Sequence, residues 1–206
     1  MEAYIEYLSS LIPEKDSLKI VKTESKKYYM EHTAKECYDI FPVLYQSENF
    51  QIQEVGVFLA GYIADVYPDA LDFMRYTVSQ HESWKVQEIL AMAFDNYCAK
   101  IGYEKALPII REWFEDDCAN VRRAASEGLR IWTNRPYFKE HPEIAIELLA
   151  SHRDDDSEYV RKSAGNSLRD ISKKYADLVE TEISKWDLSS KKIMQVYKLV
   201  CKNRNK

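Results

Sequence analysis

The chain has 206 residues, 46% hydrophobic and 31% charged, with only 5 Gly and 6 Pro and no low-complexity tract. That length can bury a substantial core, and that composition excludes a disordered or collagen-like chain while favouring long helices. The net charge of −5 conceals an asymmetry: residues 1–119 hold 11 Lys+Arg against 21 Asp+Glu and residues 120–206 hold 18 against 13, which points any polyanion-binding surface to the C-terminal half.

The N-terminus, Met1-Glu2-Ala3-Tyr4-Ile5-Glu6, is acidic where a secretory signal would be basic. The longest apolar run, Val57 to Ala64, falls well short of the roughly 20 residues that cross a bilayer. A cytoplasmic protein with no membrane contact is therefore expected. Residues 1–31 read as one or two polar-faced capping helices, followed by a helix capped by Thr33 and running through Tyr45.

From there a pattern recurs. Ile52, Val86, Val121 and Val160 occupy equivalent positions, separated by 34, 35 and 39 residues, the length of one helix-turn-helix repeat. Four residues beyond these anchors stand Gly56, Leu90, Ala125 and Ala164, eight beyond stand Ala60, Phe94, Leu129 and Leu168, and eleven beyond stand Ile63, Tyr97, Trp132 and Ile171. These offsets fall on one helix face. The residue just after each anchor, Gln53, Gln87, Arg122 or Arg161, lies about 100° away and is expected to point at solvent or a ligand. Between these helices, Tyr67-Pro68-Asp69, Gly102-Tyr103-Glu104, His141-Pro142-Glu143 and Tyr175-Ala176-Asp177 open further helices, Pro68 and Pro142 suiting a first turn and Pro108 suggesting a kink.

The fold expected is all-α: a HEAT-like repeat α-α superhelix, a curved solenoid of antiparallel helix pairs. Residues 1–206 read as one domain, with cap helices in 1–31, repeats near 32–65, 66–99, 100–137 and 138–173, and C-terminal helices in 174–206.

Several chemistries find no support. Cys37, Cys98, Cys118 and Cys201 form no metal spacing and are expected as free thiols. His32, His81, His141 and His152 lack HExxH spacing and read as loop or surface residues. Asp154-Asp155-Asp156 lacks the Gly and Glu of a calcium loop and reads as a cap between repeats. No phosphate loop, nucleophile elbow or dinucleotide fingerprint is present. Trp84, Trp113 and Trp186 read as packing residues.

The third and fourth repeats carry more than a generic pattern. Val121-Arg122-Arg123-Ala124-Ala125-Ser126-Glu127-Gly128-Leu129-Arg130, followed by Ser157-Glu158-Tyr159-Val160-Arg161-Lys162-Ser163 and Asn166-Ser167-Leu168-Arg169-Asp170-Ile171-Ser172-Lys173, resembles the DNA alkylation repair family, its AlkC branch more than its AlkD branch. The resemblance implies a solenoid that holds duplex DNA and, in active members, a glycosylase that removes cationic alkylated bases such as 3-methyladenine. It implies Glu127 and Asp170 as the catalytic carboxylates, with no metal and no cofactor. Cleavage builds positive charge on the sugar, which a carboxylate stabilises.

At about 100° per residue, Glu127 and Asp170 lie near 240° and 280° from their own anchors, so the two carboxylates are expected to face one groove. Arg122, Arg123, Arg130, Arg161, Lys162, Arg169, Lys173 and Lys174 surround them in sequence and are expected to contact DNA phosphates. The family's aromatic contact to the damaged nucleotide falls on Tyr137 or Phe138, at a shifted spacing. The partner expected is alkylated double-stranded DNA, bound by a monomer. The alternative is a non-catalytic scaffold binding DNA structures or a protein partner, which the net charge of −5 and the shifted aromatic loop favour.

Overall fold

The computed structural model describes residues 2–13 and 15–202, apart from the side chain of Trp132. The core position expected for Trp132 therefore lies outside the described side chains. Among the described residues the chain is all-α, built from helix pairs, with no strand. It divides into two compact units, residues 1–102 and 103–206.

The first unit contains α1 (Glu2–Leu11), α2 (Leu18–Glu31), α3 (Ala34–Tyr45), α4 (Phe50–Ile63), α5 (Pro68–Tyr76), a single 3-10 turn (Val78–Gln80) and α6 (Trp84–Ile101). Its hub is α4, whose sequence is apolar on nearly every side and which packs against α2, α3, α5 and α6. Two glycines set its distances from its neighbours. A Cβ at Gly56 would lie 2.8 Å from the carbonyl oxygen of Phe41, and one at Gly61 would lie 2.5 Å from that of Ala93. Thr33 caps α3 as expected, in a reciprocal box with Glu36 whose carboxylate accepts the Thr33 N–H at 2.7 Å. Gly102, at φ 89°, ends α6 in a conformation that costs other residues a Cβ clash.

The second unit contains α7 (Tyr103–Phe114), α8 (Ala119–Trp132), α9 (Pro136–Glu140), α10 (Pro142–Ser151), α11 (Glu158–Ser172), α12 (Ala176–Ile183) and α13 (Lys191–Val200). Helices α8, α11 and α13 pack side by side in one layer, and α10 and α12 form the layer behind them. Proline starts α5, α9 and α10, where its missing N–H leaves no bond unmade. Helix α7 runs through Pro108 without a break.

The repeat anchors Ile52, Val86, Val121 and Val160 are all buried, as are the residues four and eight positions later that carry side chains. This is the apolar stripe that the periodicity requires. Trp113 and Trp186 are buried as expected, but Trp84 is 59% exposed. It is the first residue of α6, whose buried stripe begins at Val86. No helix among the described residues is long and apolar enough to cross a membrane.

Candidate functional site

The residue after each anchor has a defined task. Gln53 Nε2 donates to the carbonyl of Ser47 at 2.7 Å and Gln87 Nε2 to that of His81 at 2.6 Å. Arg122 Nη1 donates to the carbonyls of Asp116 and Asp117 at 2.7 and 2.9 Å, and Arg161 Nη1 to those of Asp155 and Asp156 at 2.6 and 3.0 Å. In every case the side chain folds back to the carbonyl six residues upstream. The same loops share a second bond. A side chain five residues before the anchor, Ser47, His81, Asp116 or Asp155, accepts the N–H of the helix-capping residue two positions on. Each loop is thereby tied to the helix it precedes, and backbone groups that lack a helical partner are satisfied.

This clamp corrects two expectations. Arg122 Nε and Nη2 also grip the Asp155 carboxylate at 2.7 and 2.8 Å, joining α8 to the loop before α11. Arg161 Nε donates to Gln195 Oε1 at 2.9 Å. Both guanidinium groups are engaged within the fold and poorly exposed, so neither is available to a phosphate as its first partner. Asp155 is the inter-repeat cap foreseen for the aspartate run. Burial alone would raise its carboxyl, but hydrogen bonds from Arg122 and the Ser157 N–H outweigh it and hold it below the ordinary carboxylate range. His152, expected near the surface, is buried, stacked on Phe114 with ring centroids 4.9 Å apart and with Nδ1 3.3 Å from Asp155. Burial pushes its pKa down, keeping the ring neutral.

The two carboxylates of interest meet through one cation. Arg130 Nε lies 2.5 Å from Asp170 Oδ2, and its Nη1 lies 3.8 Å from Glu127 Oε2. Lys173 Nζ holds the other oxygen of Asp170 at 2.6 Å, and Arg169 Nε is 4.0 Å away. Helix α8 thus supplies Glu127 and Arg130, and α11 supplies Asp170 and Arg169, with Lys173 at its C-cap. The helices approach closely because small residues face each other, with buried Ser167 Oγ donating to the Ser126 carbonyl at 3.1 Å. Partial burial would raise the Asp170 pKa, but hydrogen bonds from Lys173 and Arg130 reverse that and lower it, so the group is ionised at neutral pH. A cleft of about 800 Å³ opens beside it, lined among others by Arg130, Arg169, Asp170, Lys173, Asp177 and Lys202. Its charge is mixed, with cations in excess around the aspartate.

The remaining expected residues fall in different places. Lys162 is exposed and pairs with Glu158 on its own helix at 2.7 Å, and Lys174 reaches Asn134 Oδ1. Arg123 is half-buried on α8. Phe138 is fully buried against Tyr103 and Tyr137, which removes it as a contact to any bound molecule. The turn before α9 points it into the core and leaves Tyr137 half-buried beside His141. Among the described residues no group of three His, Cys, Asp or Glu side chains is arranged to hold a metal.

Residues 13–197 match the family model described as DNA alkylation repair enzyme. The chain belongs to this family. Two solved chains from Streptococcus mutans are similar over almost their whole length. AlkD2 is 47% identical with a TM-score of 0.94, covering 98% of each chain. The smu.31 structure is 50% identical with a TM-score of 0.89, covering 96% of this chain and 98% of that one. The uncharacterized protein YhaZ of Bacillus subtilis is 36% identical over 90 residues, which are 42% of this chain and only 25% of that relative. As a DNA alkylation repair family member the chain has the HEAT-like helical repeat fold of these neighbours.

Proposed function

We propose that this family member binds duplex DNA and hydrolyses the N-glycosidic bond of a cationic alkylated base such as 3-methyladenine, at the cleft beside Asp170. The observation that carries this reading is an ionised Asp170 in an open cleft, joined through Arg130 to Glu127. Family membership supports the DNA substrate.

In the proposed reaction the bond between the sugar C1′ and the base nitrogen breaks, and its electron pair passes to the base, discharging the positive ring. The sugar becomes oxocarbenium-like, and Asp170 stabilises that charge. A water adds its oxygen to C1′ and gives up one proton, for which Glu127 is the proposed acceptor. Arg130, Arg169 and Lys173 serve the flanking phosphates, and no metal or cofactor enters any step.

One observation favours a second reading. Arg130 and Lys173 already hold both oxygens of Asp170, which reduces the negative charge it can offer to a developing cation. A protein so arranged binds DNA without cleaving it. Release of 3-methyladenine from methylated duplex DNA, compared among wild type, Glu127→Gln and Asp170→Asn, separates the two. Base release that falls in both variants supports hydrolysis, whereas salt-dependent duplex binding with no release supports the binding role.

A further inference from the structure

The C-terminal half was the expected home of any polyanion surface, yet the clearest row of unengaged cations lies on α2. Residues 1–102 hold 16 Asp+Glu against 9 Lys+Arg, and five of those nine cations fall within residues 15–27. On α2, Val21, Glu24, Ser25 and Tyr28 are buried against the rest of the unit. At about 100° per residue, Lys19, Lys22 and Lys26 share the opposite face with Thr23 and Met30. All five are exposed, Met30 to 73%.

The acids nearest in sequence do not neutralise this face. Asp16 is held by Lys85 at 2.9 Å, and Glu24 is buried and accepts the Tyr7 hydroxyl at 3.2 Å. Among the described residues Lys19, Lys22 and Lys26 form no ion pair, whereas Lys35, Lys85 and Lys100 of the same unit each do. A shallow depression of about 670 Å³ lies beside the C-terminal part of the row, lined by Lys22, Thr23, Lys26, Lys27, Met30 and Glu31 and not by Lys19. Unpaired like charges at this spacing repel one another in the free protein, so a polyanion that bridges them relieves that repulsion as it binds.

We propose that the Lys19, Lys22 and Lys26 row of α2 is a second phosphate-contacting surface, engaging the backbone of one DNA strand. The row is about 10 Å long at ~1.5 Å per residue, which matches on the order of three phosphates at ~3.4 Å per step. Lysine point charges on flexible stems suit contact without base readout, so the surface adds affinity and not sequence preference. The inference rests on DNA binding as proposed above, but not on glycosidic cleavage.

The test is anisotropy of a fluorescent duplex at several salt concentrations with the full chain. Wild type is compared with Lys19→Ala/Lys22→Ala/Lys26→Ala and with Lys105→Ala/Lys139→Ala/Lys198→Ala, which makes the same charge change at other exposed sites. Each lost phosphate contact lowers the log-log salt slope by about 0.9, so the α2 variant is expected to lose roughly two to three from the slope while the control keeps it. Lys22→Glu alone, with its unfolding midpoint checked, is expected to lower affinity several-fold at about 0.1 M salt. An α2 variant whose slope equals that of the control overturns this inference and leaves DNA binding standing. A wild type that binds no duplex even at low salt overturns both.

Discussion

At the residue scale, what the helical phase could not convey is where a long side chain ends. The wheel places Arg122 and Arg161 off the apolar stripe, and both are, but each then folds back to carbonyls five and six residues upstream. The signal was in the sequence, in the recurrence of a Gln or Arg after each anchor together with an acceptor six residues before it. Asp155, with only 6% of its side chain exposed, depends on Arg122 for its charge. Arg122→Ala is therefore expected to destabilise the fold by about 3 kcal/mol, because it strands a buried carboxylate, and Arg122→Ala/Asp155→Asn to recover part of the loss. Urea unfolding at pH 7 measures both. His152 adds a pH dependence. Its folded pKa is depressed, so the unfolded chain takes up a proton first as pH falls below about 6.5, and stability is lost in that window. His152→Phe, which keeps a ring on Phe114, is expected to flatten this slope between pH 7 and 5.

At the scale of elements, the positions of the helix pairs were legible because buried stripes, proline at first turns and the Thr33 cap each leave a local mark. The start of α12 was marked by Tyr175-Ala176-Asp177, whereas the short α9 and the bounds of α13 were not separately resolved, since they fall outside the four recurring anchors. Helix α4 carries a group that its apolar surroundings do not favour. Glu54 is 2% exposed, its Oε2 makes no hydrogen bond, and burial, with Asp16 and Glu88 adding to it and Lys85 opposing, pushes its pKa up to about 7. A carboxyl whose folded pKa exceeds its unfolded value stabilises the fold only while protonated, so stability falls as pH rises from about 4.5 through 7. Glu54→Gln is expected to stabilise by roughly 1–3 kcal/mol at pH 8 and by much less at pH 5, read from unfolding midpoints relative to wild type. The approach of α6 to α4 predicts the opposite sign at Gly61. Its alanine variant meets the Ala93 backbone and is expected to cost about 2 kcal/mol or more, measured by thermal unfolding.

At the scale of the molecule, the family was legible from the two motif-bearing helices, and among the described residues Glu127 and Asp170 each contact Arg130 and not one another's side chain. What the sequence could not convey was that Arg130 would reach from α8 to Asp170 while Lys173, three residues on, held its other oxygen, or that Phe138 would turn inward against Tyr103. Those contacts bear directly on chemistry. If the cations leave Asp170 for DNA phosphates when a duplex arrives, the carboxylate is released to face the sugar, and cleavage proceeds. If they stay, the cleft only binds. The deciding measurement is release of 3-methyladenine from methylated duplex DNA by the wild-type chain and by Asp170→Asn, at a salt concentration where both bind DNA. The account predicts release by the wild type and a loss of about a hundredfold or more in the variant. A wild type that binds the duplex and releases no base, or a variant that releases it equally fast, would contradict it.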